Sequence, residues 1–237
     1  KISLITTVLN EEKEIEAFFQ SIFLQTRLPD EVVVCDAFSK DGTVRKIKAI
    51  VRGQNIKVKV IKKRGNRSKG RNAAIKESQG SVIAVTDVGC ILDKNWLLRL
   101  TEPFKDETID VVAGFYHAKT ASVFQKCLST YTCTMPEKLN KQNFLPSSRS
   151  VAFRKSSWSG VGGYPEAIDT CEDLVFAKKL KKNGERFMTV ASALVFWPQR
   201  SNIFTAARQF YSYAKGDGQA RYFRLSTPLL YIRYLFG

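Results

Sequence analysis

Glu31-Val32-Val33-Val34-Cys35-Asp36-Ala37-Phe38-Ser39-Lys40-Asp41-Gly42-Thr43 decides how the rest of the chain is read. Glu31–Cys35 is a short β-rich apolar run that calls for a strand buried on both faces. Asp36 to Asp41 is polar, and Asp41-Gly42 is a turn that starts a helix over Asp41–Val51. The same alternation extends in both directions. Strands are expected over Ile2–Val8, Lys57–Ile61, Ser81–Thr86 and Asp110–Tyr116. Helices are expected over Glu11–Gln25, Ser68–Ser78 and Asp93–Phe104. In Glu11–Gln25 the apolar positions are Ile15, Phe18, Phe19, Ile22 and Phe23, at helical spacing. Strands alternating with helices imply an α/β fold around a parallel, doubly wound sheet. Such sheets bind ligands beyond the carboxyl ends of their strands.

The second half is less regular. Met135–Ser148 is polar, holds Pro136 and Pro146, and reads as a loop. Arg149–Arg154 and Ala191–Trp197 read as strands, and Gly160–Pro165 as a turn. Cys171–Lys182 reads as an amphipathic helix with Leu174, Val175, Ala177 and Leu180 on its apolar side. From Ser201 to Gly237 aromatic residues (Phe204, Phe210, Tyr211, Tyr213, Tyr222, Phe223, Tyr231, Tyr234, Phe236) interleave with Arg and Lys, and Gly216-Asp217-Gly218 interrupts them. That mixture suits a membrane interface, single-stranded nucleic acid, or a helix packed on the preceding domain. Pro228–Phe236 is too short to span a bilayer and contains Arg233.

The 237 residues carry 38 Lys and Arg against 22 Asp and Glu, a formal charge of +16. This calls for polyanionic partners, whether phosphorylated ligands, an anionic membrane or nucleic acid. The five cysteines (Cys35, Cys90, Cys127, Cys133, Cys171) lack paired metal-ligand spacing and point to a reducing compartment, most of them as small buried apolar residues. The lone histidine, His117, is not assigned to a metal.

Polar residues gather after each of the first four strands. Asn10 and Glu11 follow the first, Asp36 and Asp41 the second, a basic run with Lys69, Arg71 and Asn72 the third, and Asp87-Val88-Gly89-Cys90 the fourth. Singly, each has a structural explanation as a cap or turn. Around one crevice they suit a ligand with a base, a ribose and a diphosphate. Carboxylates accept hydrogen bonds from base or ribose, and Arg and Lys neutralise phosphate oxygens.

The ordered series continues into Gly162-Gly163-Tyr164-Pro165-Glu166 and Glu172-Asp173-Leu174, and it resembles the family-2 glycosyltransferases from about Lys1 to Trp197. The resemblance implies a GT-A fold and inverting transfer of a sugar from a nucleotide-sugar donor to a lipid-linked or polysaccharide acceptor. Asp36 matches the nucleobase contact, Arg71-Asn72 lies near the nucleotide, and Asp87 opens an Asp-x-Asp motif at ribose and metal. Asp173 matches the catalytic base, with Glu172 expected to orient it, and Arg149 is a candidate contact for diphosphate or acceptor. The second motif acid is missing, since Gly89 stands in its place. Three readings follow: Mg²⁺ or Mn²⁺ held by Asp87, the diphosphate and water; the basic run replacing the cation; or lost activity. Residues 1–200 are expected to form the catalytic domain, 1–116 for the nucleotide and 117–200 for the acceptor, with 201–237 a helical tail beside a membrane. The chain opens at Lys1 without Met or secretory leader and stops in an apolar run, so the expected setting is the cytoplasmic face of a membrane, with a membrane segment cut near Gly237. The competing readings are a nucleotidyltransferase and a basic nucleic-acid-binding module. Asp36, Asp41 and Asp87 argue against the latter, because a polyanion groove wants no acids.

Overall fold

The computed structural model describes residues 1–222. The expectations for Phe223, Arg224, Pro228–Phe236 and Gly237 lie outside the described residues. In chain order the strands are β1 (Ile2–Val8), β2 (Glu31–Asp36), β3 (Val58–Lys62), β4 (Val82–Val85), β5 (Ile91–Leu92), β6 (Val111–Lys119), β7 (Val151–Arg154) and β8 (Phe187–Pro198). The helices are α1 (Ile15–Phe23), α2 (Thr43–Ile50), α3 (Arg67–Glu77), α4 (Trp96–Thr101), α5 (Val123–Thr132), α6 (Lys155–Gly160), α7 (Glu172–Lys182) and α8 (Ile203–Gln219), with 3-10 turns at Glu102–Lys105 and Pro136–Lys138.

One eight-stranded sheet runs β3-β2-β1-β4-β7-β6-β8-β5. Its first four strands are parallel, as the alternation predicts. Beyond β4 the sheet is mixed: β7 runs antiparallel to both β4 and β6, and β6 pairs parallel with β8. The sheet is therefore continuous across residue 116.

Alternate residues of the buried strands feed two cores. Leu4, Val8, Val32 and Val34 pack against Phe18, Phe19, Ile22, Trp96 and Leu100 on the α1 and α4 side. Ile5, Val33, Cys35 and Val85 pack against Ile75, Trp158, Tyr164, Phe176 and Leu180 on the α3 and α7 side. Each fully buried Phe contributes about 1.5–3 kcal/mol. Cys35 and Cys90 are buried, as expected of small apolar residues, but Cys127 is exposed and Cys133 and Cys171 are half-buried, so burial holds for a minority of the five.

Several details differ from expectation, among them α5 and β5, which were not anticipated, and β8, which begins at Phe187 rather than Ala191. Helix α1 begins at Ile15, not Glu11, because the Glu11 and Glu12 amides are drawn to Thr43 and Asp41. In α7 the buried side is Phe176, Ala177 and Leu180, whereas Leu174 and Val175 are half-buried. Residues 155–160 are a short helix rather than unassigned chain. Gly216-Asp217-Gly218 does not interrupt α8. Gly216 stands where the helix crosses Thr170, against which a Cβ would clash.

Candidate active site

The loops after β1 and β2 lock together at the strand ends. Asn10 and Phe38 adopt left-handed backbone, φ 56° and 68°, to make the exchange. The Asn10 amide donates to Ser39 Oγ (2.9 Å), and Asn10 Oδ1 accepts from the Lys40 amide (2.8 Å). Asp41 accepts from the amides of Glu12 (3.2 Å) and Thr43 (3.0 Å), and the Thr43 hydroxyl first of all holds its carboxyl below the usual range. Asn10 and Asp41, expected at the ligand, fasten these two loops to each other. Asp36 is buried at the end of β2, with Oδ1 accepting from the Ser39 amide (2.9 Å) and no donor to Oδ2 among the described residues. Beside it, Arg64 stands 4.9 Å and Lys62 5.8 Å from the exposed Phe38 ring. Half-buried Glu11 is pushed up to about 7, by burial first and then by Glu14.

Helix α3 supplies the centre. Asn66 caps it by accepting from the Lys69 amide (3.1 Å), and Lys69 is half-buried in the first turn. Arg71 is 1% exposed and bridges two acids: Nη2 donates to Asp87 Oδ1 and Nη1 to Glu172 Oε1, each at 2.7 Å. The Tyr164 ring lies 5.3 Å away. Burial opposes the guanidinium's charge, but Asp87 and Glu172 overcome it and push its pKa up. Burial would likewise raise Asp87, yet Arg71, Arg67 and Arg149 hold it below the usual carboxylate range. The bridge ties the end of β4 to the start of α7.

This geometry corrects two roles. Asn72 is not available to a nucleotide: its Nδ2 donates to the Tyr164 carbonyl (2.9 Å) and Glu166 Oε1 (3.0 Å), and its Oδ1 accepts from Trp158 Nε1 (3.0 Å) and the Tyr164 amide (2.9 Å). A primary amide has no further capacity. Glu172 does not hold Asp173; it is buried against Arg71.

Cys171 precedes α7 in left-handed backbone, φ 69°, a strained conformation that sets the direction of the helix start. Asp173 Oδ1 accepts from the Leu174 amide (2.8 Å) and Oδ2 from the Ser148 amide (3.4 Å). No cation pairs with it within 4.0 Å among the described residues. It lines a small pocket with Pro146, Ser148, Tyr164 and Phe176. Next to Ser148, Arg149 is half-buried and stacked 3.8 Å over Trp197, with Tyr116 at 5.3 Å.

For a divalent cation the donor set is thin. Asp87 keeps one oxygen beyond its bond to Arg71. Gly89 has φ +94°, a backbone that a side chain rarely adopts. Burial pushes the Cys90 thiol up to about 12, so it is no thiolate ligand near neutral pH. No group of three His, Cys, Asp or Glu can hold a metal among the described residues. The residues fit a cation that leans on one carboxylate and takes its other ligands from phosphate and water, as Mg²⁺ commonly does.

Sequence reasoning missed Tyr116, Trp197 and Tyr213 as partners of Arg149. Three distant segments supply them, and only their aromatic character was visible. His117 sits edge-on to Phe115 at 5.5 Å.

The family model described as "Glycosyl transferase family 2" matches residues 3–157. The chain is 26% identical over 227 residues to the O-antigen chain rhamnosyltransferase RfbN of Salmonella typhimurium, covering 90% of this chain and 70% of that protein. It is 24% identical over 193 residues to the glycosyltransferase AglE of Haloferax volcanii, covering 77% and 62%. Among solved structures, the mannosyltransferase PcManGT from Pyrobaculum calidifontis, in complex with GDP-Man and Mn2+, aligns at TM-score 0.69 and 20% identity, over 87% of this chain and 59% of that one. TarS 1-349 of S. aureus with UDP-GlcNAc aligns at TM-score 0.69 and 22% identity, over 86% and 60%. The chain thus spans about three fifths of each of these two structures. At such identities the likeness establishes the fold, that of the GT-A glycosyltransferases.

Proposed function

Glycosyl transferase family 2 is the family to which this chain belongs, and from that premise we propose that it is an inverting glycosyltransferase with Asp173 as general base. The observation that carries this reading is the buried Asp87–Arg71–Glu172 bridge. It fixes the donor-side strand end to the acceptor-side helix and occupies Glu172, leaving Asp173 without a cationic partner within 4.0 Å among the described residues.

In this reading the donor nucleotide lies across the ends of β1, β2 and β4. Asp36 Oδ2, which has no donor among the described residues, accepts from the base in this proposal, and Lys69 and the α3 N-terminus meet the phosphates. The acceptor hydroxyl gives its proton to Asp173 as it attacks the anomeric carbon, and the nucleoside diphosphate leaves from the opposite face. A divalent cation, when bound, would be held by Asp87 and the donor phosphates and would neutralise charge on the leaving group.

A lipid-linked or polysaccharide acceptor is supported by the O-antigen relative. An anionic membrane surface as a partner is supported by exposed Ile203, Phe204 and Tyr211 on α8, beside an apolar groove of about 380 Å³ between α5 and α8, and the cytoplasmic face is the setting we propose for it. No helix of the described residues is long and apolar enough to cross a membrane. Acids at the strand ends disfavour nucleic acid as a ligand.

Thermal-shift screening with UDP-, GDP- and dTDP-sugars, each with and without Mg²⁺ or Mn²⁺, tests the donor. The expected result is stabilisation by one nucleotide class. Indifference to all of them, combined with salt-steep binding of oligonucleotides, would overturn the reading.

A further inference from the structure

Arg149 is a half-buried cation that meets no carboxylate within 4.0 Å among the described residues. Aromatic residues hold it instead. Its guanidinium stacks on Trp197 at 3.8 Å, Tyr116 lies 5.3 Å away, and Tyr116 meets Trp197 edge-on at 6.1 Å. Nη1 donates to Ser147 Oγ (2.9 Å) and Nη2 reaches Tyr213 Oη (3.5 Å), which also accepts from Gln209 Nε2 (2.7 Å). The remaining N–H groups have no acceptor among the described residues. Stacking of this kind orients a guanidinium without neutralising it.

The box also fixes where the charge stands. The preceding amide, Ser148 N, donates to the candidate base Asp173. Burial opposes the Arg149 charge, while Tyr213, Asp87, Tyr116 and Asp173 favour it, so it feels the acids of both the donor and the acceptor side. Tyr213 comes from α8, which is fastened to the loop before α7 by Thr170 Oγ1 donating to the Ser212 carbonyl (2.6 Å). An oriented guanidinium without an ion-pair partner within 4.0 Å among the described residues is suited to an anion that arrives with the substrate.

We propose that Arg149, presented by Trp197, Tyr116 and Tyr213, binds the donor diphosphate and supplies part of the positive charge that this chain, with Gly89 in place of an acid, draws less strongly from a cation. The inference rests on the nucleotide-sugar reading. As the acceptor oxygen bonds to the anomeric carbon, the bond from that carbon to the phosphate oxygen breaks. Its electron pair departs with the nucleoside diphosphate, and the acceptor proton passes to Asp173. Arg149 gives up no proton; it donates N–H hydrogen bonds to phosphate oxygens whose charge is growing. Trp197, Tyr116 and Tyr213 are positioning residues.

The test is calorimetric titration of the whole chain with UDP, GDP and dTDP in excess EDTA, repeated with Mg²⁺. Wild type is expected to bind one of the three without metal. Arg149→Met should weaken that binding by about tenfold or more, and Arg149→Lys, which keeps a charge, by clearly less. Trp197→Leu, which keeps the charge but removes its platform, should weaken binding several-fold. It also decides the matter if Arg149→Met fails to fold. Wild-type affinity in both Arg149→Met and Trp197→Leu would overturn the proposal, as would binding that needs Mg²⁺ and ignores Arg149. If no nucleoside diphosphate binds under any condition, the donor reading itself falls and this inference with it.

Discussion

Removing a guanidinium from between a half-buried and a buried carboxylate leaves one charge that water reaches only in part and one that it hardly reaches, and Arg71 occupies that position between Asp87 and Glu172. Arg71→Met is predicted to destabilise the fold by about 3–5 kcal/mol in urea denaturation; a loss below about 1 kcal/mol would mean the bridge carries little. Glu11 gives a second prediction. Its folded pKa is raised from 4.5 to about 7, by burial first and then by Glu14, so its stabilising contribution is complete below the unfolded value and is lost as pH rises through about 7. Wild-type stability should fall over that window, and Glu11→Gln should flatten the profile. The sequence made Asp36, Arg71, Asp87 and Asp173 legible as polar residues at strand and helix ends. It left unreadable which way each side chain turns. Asn72 and Glu172 were misread because their partners, Tyr164 and Arg71, lie about a hundred residues away and are supplied by packing.

At the scale of elements, the parallel half was legible because β1, β2 and β4 are buried on both faces and read as short β-rich runs, while the edge strand β3 alternates apolar with Lys. β7 was placed in sequence, but its antiparallel insertion between β4 and β6 depends on the path of the chain around the sheet. β5 and α6 are too short and mixed to announce themselves. The turn after β4 carries a test of its own. Gly89→Asp restores an acid at φ +94°, a strained position for a side chain. The substitution is predicted to cost about 1–3 kcal/mol of stability and to make nucleotide affinity rise several-fold more on adding Mn²⁺ than it does in wild type. An unchanged metal response, measured by calorimetry, would show that the site does not reach this position.

Across the whole molecule, the formal charge of +16 coexists with acids at the crevice, where Arg67, Arg71 and Arg149 act on Asp87. Phe204 is 83% and Tyr211 72% exposed on α8, with Arg208 and Lys215 exposed on the same helix. Co-sedimentation with anionic vesicles should therefore exceed that with neutral ones, fall with salt, and drop in Phe204→Ser and Tyr211→Ser together. Equal binding to neutral vesicles would separate the aromatic face from the charge. The central claim concerns chemistry, and release of nucleoside diphosphate from the nucleotide sugar that stabilises the chain, compared between wild type and Asp173→Asn, tests it most directly. The account predicts that Asp173→Asn binds the donor about as tightly as wild type yet turns it over roughly 10²–10⁴-fold more slowly, and turnover at the wild-type rate would contradict it.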